Sequence, residues 1–215
     1  MKQKILTFLT AVATALWVLT CSIAVPLLVR PFYALHITPL QLEENTGLTR
    51  EQILEAYDDV MDYCLGLRED FAAGVLPFSA DGASHFADVQ KLFLLDLWVL
   101  GISSLALLIL WLVRRRTGLQ PWRPAGRGPA FWGCVGLGAA FLVVGALAAT
   151  DFDRAFTIFH TLFFPGKDNW IFSPATDPVI LILPQEFFRN CALLILGVLL
   201  ALCALLIGLD FRKRK

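Results

Sequence analysis

His85 and Asp88 stand three residues apart, where the polar stretch Asp81-Gly82-Ala83-Ser84 gives way to a long apolar run. With Ser84 as N-cap, His85 opens a helix, and Asp88, Leu92 and Asp96 follow along one face of it. The spacing predicts an imidazole at a membrane–water boundary with a carboxylate one turn below. A helix N-terminus disfavours an imidazolium and a nearby carboxylate favours it. A histidine balanced between such influences suits general-base work near neutral pH. An exposed boundary histidine beside a solvated aspartate has the same local pattern, so function needs further support.

The sequence holds two other histidines. His36 precedes Pro39 in a loop without an acidic residue at helical spacing, and reads as a surface residue. His160 interrupts the aromatic run Phe156, Phe159, Phe163 and Phe164. Three chemistries suit this inventory. A covalent route needs a nucleophile, for which Cys64 and Cys191 qualify by position and Ser79 and Ser84 by closeness to His85; none sits in an elbow motif. A metal site could draw on His85, Asp88 and His160, but the usual zinc spacings are missing. The third route is acid–base catalysis by two imidazoles without a covalent intermediate, for a substrate that carries its own nucleophile.

The elements that must position these residues follow from hydropathy. The chain has 215 residues, 57% hydrophobic, above the roughly 45–50% usual for a soluble domain. The excess lies in four runs long enough to span a bilayer, at about residues 5–29, 86–113, 130–150 and 188–209. The first exceeds a signal-peptide core and reads as a retained helix. Thr49-Arg50-Glu51-Gln52 has the form of a capping box, and Ile53, Leu54, Tyr57, Val60, Met61 and Cys64 recur behind it at helical spacing, predicting an amphipathic helix that ends near Gly66. Residues 67–83 read as loop and turn. Gly133, Gly136 and Gly138 suit close helix packing. Ala155–Phe164 and Val179–Leu183 are too short to span. Five cysteines without a Cys-x-x-Cys pattern, three of them in apolar runs, argue against a disulfide framework.

Charge sets the orientation. Lys2, Lys4, Arg114, Arg115, Arg116, Arg123, Arg127, Arg212, Lys213, Arg214 and Lys215 all fall on one side of a four-helix arrangement, whereas every acidic residue but Asp210 falls on the other or in adjoining helix ends. By the positive-inside rule both termini are cytoplasmic. The expected protein is thus an all-α integral membrane protein with a single membrane domain. Its two extracellular segments, about 30–85 and 151–187, form a small cap that carries His85 and His160.

Ser84-His85-Phe86-Ala87-Asp88-Val89 resembles the start of the second membrane helix in the lipoprotein intramolecular transacylase (Lit) family of Gram-positive bacterial membranes. Phe159-His160-Thr161-Leu162-Phe163-Phe164, then Trp170, Asp177 and Pro184-Gln185-Glu186-Phe187-Phe188, resemble its second outer segment, and Tyr57 and Tyr63 sit where the family carries aromatics. The likeness covers essentially the whole chain; Phe86, where relatives often have Met, departs from it. The resemblance implies a bacterial cell-membrane enzyme with its site on the extracellular face. It would move the sn-2 acyl chain of a diacylglyceryl-cysteine lipoprotein to that lipoprotein's own α-amine, giving the lyso form. His85 and His160 would be catalytic, supported by Asp88, Ser84, Asp96, Trp170, Asp177, Glu186 and Tyr57. No cofactor or metal is implied. The partners would be a diacylated lipoprotein or lipopeptide and membrane lipid, not nucleic acid. A non-catalytic membrane binding or assembly protein is the competing class.

Overall fold

The computed structural model describes residues 1–212. Lys213, Arg214 and Lys215, part of the basic tail read as cytoplasmic, lie outside the described residues. Among the described residues the structure is helical, without strands. Four helices are long and apolar enough to cross a membrane: α1 (Lys2–Leu28), α5 (Ala80–Thr117), α6 (Pro129–Thr150) and α9 (Gln185–Arg212). Among the described residues there are also five shorter α-helices, α2 (Arg30–Ala34), α3 (Leu42–Thr46), α4 (Arg50–Cys64), α7 (Phe152–Phe163) and α8 (Val179–Ile182), and a 3-10 turn at Pro124–Gly126. A bilayer core needs about 20 helical residues, and α5 has 38. Its surplus turns hold Asp81, Ser84, His85 and Asp88 at one end and Arg114–Arg116 at the other.

The contacts divide the chain into two units. One comprises Met1–Val25, Asp96–Ala149 and Leu194–Lys215. Its buried centre is Val18, Cys134, Leu199 and Cys203, ringed by Trp17, Leu137 and Phe141. Of the three glycines suggested for close packing, Gly133 serves that purpose: a Cβ there would lie 2.5 Å from the Ala11 carbonyl oxygen, so α6 approaches α1 backbone to backbone. Gly136 faces open space. At the far end of this unit the Asp210 carboxylate accepts the Gly128 N–H at 3.0 Å, and the Arg127 guanidinium lies over the Phe211 ring at 3.6 Å.

The second unit comprises Pro26–Leu95 and Thr150–Leu193. The capping box is present in full: the Thr49 hydroxyl accepts the Gln52 N–H at 3.3 Å and the Gln52 side-chain oxygen accepts the Thr49 N–H at 3.0 Å. The helix it starts buries Ile53, Ala56, Tyr57, Val60, Met61 and Cys64. Tyr57 stacks on Tyr33 with ring centroids 3.7 Å apart, Phe187 packs edge-on to both, and the Tyr33 hydroxyl donates to the Ile182 carbonyl at 2.8 Å. Tyr57, expected to support the catalytic pair, is therefore a core residue here. Val179–Leu183 forms a single buried helical turn and its cap. His36 is not a free surface residue: its Nδ1–H donates to the Phe32 carbonyl at 2.7 Å, and Phe32 and Phe187 pack against its ring.

The start of α5 differs from the sequence reading. Ser84 is not its N-cap, and Asp81-Gly82 is helix rather than turn, because the helix begins five residues before His85. The Ser79 hydroxyl accepts the Gly82 N–H at 2.9 Å, and the Asp177 carboxylate accepts the Ser79 N–H at 2.8 Å. Asp177 thus braces the helix that carries His85, and its negative charge suits the positive end of the helix dipole. Burial pushes the Asp177 carboxyl upward, but hydrogen bonds from Ser79 and Thr176 outweigh it and hold the group below its ordinary range. A Cβ on Gly82 would lie 2.1 Å from Asp177 Oδ1, so only glycine leaves room for this brace. Gly82→Ala is expected to displace Asp177. Losing a hydrogen bond to a charged group costs about 1.5–3 kcal/mol, which corresponds to a fall of about 5 °C in the thermal midpoint. An unchanged midpoint would show that the brace carries no weight.

Candidate functional site

The two histidines of the outer segments meet within the second unit. His85 comes from the second turn of α5 and His160 from the last turn of α7, and their ring centroids are 5.8 Å apart at 31°. Both are buried, with 6% and 7% of their surface exposed. Local sequence explains the burial of His160. Asp151 caps α7 by accepting the Arg154 N–H at 2.9 Å. The helix is strongly one-sided, with Ile158, Phe159, Leu162 and Phe163 exposed and His160 turned inward.

Aromatic rings wall the pair. Phe164 and Phe172 stand edge-on to His85 at 4.9 and 5.5 Å. Trp170 stacks on His160 at 4.5 Å and 27°, and Phe156 lies 4.2 Å from the same ring. Trp170 was expected in the site from the family pattern. Phe156 and Phe164 were visible only as part of the aromatic run around His160, without a role in the site, and Phe172 was not singled out.

The two imidazoles differ in their polar contacts. Nδ1 of His160 lies 2.8 Å from the Phe156 carbonyl oxygen. A carbonyl only accepts, so Nδ1 carries the proton and Nε2 of the neutral ring keeps a lone pair. Nδ1 of His85 is buried and has no hydrogen-bond partner among the described residues. A buried polar atom left unpaired costs about 1–3 kcal/mol, which favours the arrival of a polar group there.

Burial lowers the His160 pKa, and the bond to the Phe156 carbonyl only partly opposes this. The ring is therefore neutral, a competent base, at pH 7. The unfolded chain takes up this proton first as pH falls below about 6.5. Stability on this account is full above about pH 6.5 and falls as pH drops toward the depressed folded value. A ring NMR titration of His160 is expected to show a midpoint below 6.5; a midpoint at or above it would contradict the assignment.

Asp88, expected to orient His85, is not hydrogen-bonded to it. Its carboxylate, 11% exposed, accepts from Lys91 at 3.0 Å and pairs with Lys167. Ser84 Oγ accepts from the Asn169 side-chain amide at 3.4 Å. Asp96 lies about three turns further along α5, with one carboxylate oxygen buried and unpaired. Glu186 is exposed in the first turn of α9 and makes no hydrogen bond or ion pair among the described residues. Lys167 and Asn169 carry no local signal of these contacts, because their partners lie 79 and 85 residues away.

The arrangement can move protons. No serine hydroxyl or cysteine thiol among the described residues is hydrogen-bonded to either imidazole. Cys64 is 1% exposed, and burial pushes its thiol up to about 12, so it offers no thiolate. No group of three metal-ligating side chains occurs among the described residues, and the Asp88 carboxylate is occupied by two ammonium groups.

The fold is shared with solved structures of a membrane integral lipoprotein intramolecular transacylase, Lit, from Bacillus cereus. One is 23% identical, covers 99% of this chain and 95% of its own, and superposes with a TM-score of 0.86. Two variants of that protein, with a histidine replaced by arginine or by alanine, are each 22% identical, cover 99% of this chain and 94% or 95% of their own, and give TM-scores of 0.81 and 0.80. No curated protein sequence matches the chain. The sequence profile of the family described as lipoprotein intramolecular transacylase Lit matches residues 8–188, most of the chain. With four apolar helices, a shared membrane-protein fold and this match, the chain is a multi-pass membrane protein that belongs to the lipoprotein intramolecular transacylase Lit family.

Proposed function

We propose that this transacylase moves the sn-2 acyl chain of a diacylglyceryl-cysteine lipoprotein from the glyceryl oxygen to the α-amine of the same cysteine. The observation that carries the reading is the pair of buried imidazoles, 5.8 Å apart, with no bonded nucleophile beside them. The substrate supplies the nucleophile itself. As the amine nitrogen attacks the ester carbonyl, His160 Nε2 takes its proton. An amine with a reference pKa near 8 must lose a proton to form an amide. His85 polarises the carbonyl through its N–H and, as the C–O bond breaks, the proton taken up by His160 is passed through the imidazole pair to the glyceryl oxygen, so both rings return to their neutral state. One proton leaves nitrogen and one arrives at oxygen, so the reaction is an isomerisation that needs no other donor.

Both reactants belong to one molecule. Holding them in an attack geometry can supply up to about 7–11 kcal/mol of the barrier, and the aromatic walls suit that role. The charge asymmetry supports an outward-facing site, since eleven of the eighteen basic residues fall in the termini and the 114–127 segment, opposite the two histidine-bearing segments in the four-helix topology.

The test uses purified protein and a synthetic diacylglyceryl-cysteinyl lipopeptide whose two acyl chains differ in mass. Tandem mass spectrometry is expected to find a product of unchanged mass with the sn-2 chain on the α-nitrogen. Absence of this isomer, migration of the sn-1 chain, or a requirement for added phospholipid would reject the proposal.

A further inference from the structure

Lys167 touches the structural supports of both histidines. Its ammonium pairs with Asp88, one turn after His85 on α5. Its backbone carbonyl accepts the Trp170 indole N–H at 3.1 Å, and that indole stacks on His160 at 4.5 Å. The same short stretch makes a second link to α5, through the Asn169 amide and Ser84 Oγ at 3.4 Å. It also contributes Phe164 and Phe172, which stand edge-on to His85. Residues 164–172 therefore form a strap across the imidazole pair, and its one ionic anchor among the described residues is Lys167 on Asp88.

We infer that Lys167 is a positioning residue that sets the separation and orientation of the two imidazoles, with Asp88 as its anchor rather than as a partner of His85. The inference rests on the proposed reading of the site, but it concerns geometry and is testable apart from turnover. The Asp88 carboxylate is 11% exposed and the Lys167 side chain 46% exposed. The anion is thus largely enclosed, and the cation reaches it from the half-exposed side of the loop. Neutralising Lys167 frees the strap and leaves Asp88 with Lys91 alone. Trp170, tied to the same strap through the residue 167 carbonyl, shifts with it, and the His160 ring loses its stacking surface. Each imidazole is more open to water, and the attack geometry loosens. A loosened catalytic geometry lowers kcat more than substrate binding.

The experiment compares the full-length protein with Lys167→Met, Asp88→Lys and the double variant Asp88→Lys/Lys167→Asp, each checked for an unchanged thermal midpoint. Diethyl pyrocarbonate modification of His85 and His160 is followed by peptide mass mapping, and lyso-form production by mass spectrometry. Lys167→Met is expected to raise the modification rate of both histidines about tenfold and to lower kcat about 10- to 100-fold with KM changed less than threefold. The double variant, which restores an ion pair of reversed sign, is expected to recover most of both. Unchanged histidine reactivity in Lys167→Met, or no recovery in the folded double variant, would overturn the inference. If the wild-type protein gives no lyso product while the reactivity changes and recovers as stated, the positioning role stands and the proposed reaction fails.

Discussion

His160→Ala is expected to lower kcat for lyso-form production about 10³-fold, within the range typical of positioned acid–base groups, or about 4 kcal/mol of barrier. The magnitude follows from the tautomer. With Nδ1–H held by the Phe156 carbonyl at 2.8 Å, the ring presents its basic nitrogen without a shift of tautomer. Trp170 and Phe156, 4.5 and 4.2 Å from the ring, keep it from rotating away. Removing the imidazole leaves an aromatic slot of matching shape, so added imidazole is expected to restore part of the rate. Lys or Gln at this position gains nothing from that slot. The check is steady-state turnover of the lipopeptide by mass spectrometry, with membrane insertion of the variant verified. Activity within tenfold of wild type would remove His160 from the mechanism.

His85→Ala is expected to cost about 10²- to 10³-fold, with a different signature. His85 serves the carbonyl and the leaving oxygen, so its loss matters most when the leaving group is a poorly stabilised alkoxide. A substrate analogue with a thioester at the sn-2 position expels a thiolate that needs no protonation. His85→Ala is expected to regain most of its rate on that analogue, whereas His160→Ala, which lacks the base for the amine, stays slow. Equal losses on ester and thioester in both variants would contradict the division of labour. The buried Nδ1 of His85 supports its role, since a ring nitrogen without a hydrogen-bond partner among the described residues is ready to bond to a substrate oxygen.

What the sequence could reveal divides by how far apart the interacting residues lie. The cap of α4 was legible because Thr49 and Gln52 satisfy each other within one turn. The four apolar helices were legible because length and hydropathy suffice. The start of α5 was misread because its brace, Asp177, is 98 residues from Ser79. A local reading then favoured Ser84 as the cap. Asp88 was paired with His85 because they share a helix face, but the ammonium of Lys167, 79 residues away, holds that carboxylate. Tyr57 shared its helical stripe with core residues, and the core claimed it, as a flat stack on Tyr33 shows. Both histidines were visible as residues of the same outer side. Their separation was not, because His85 and His160 lie 75 residues apart in sequence and meet only through tertiary packing.

The most direct test of a joint proton relay is a double-mutant cycle on the lipopeptide reaction, with His85→Ala, His160→Ala and the double variant measured in the same membrane preparation. Groups that act as a unit are strongly non-additive. The double variant is expected to be no slower than the slower single variant, within about threefold. Losses that multiply, or either single variant retaining full conversion, would contradict a shared step at these two rings.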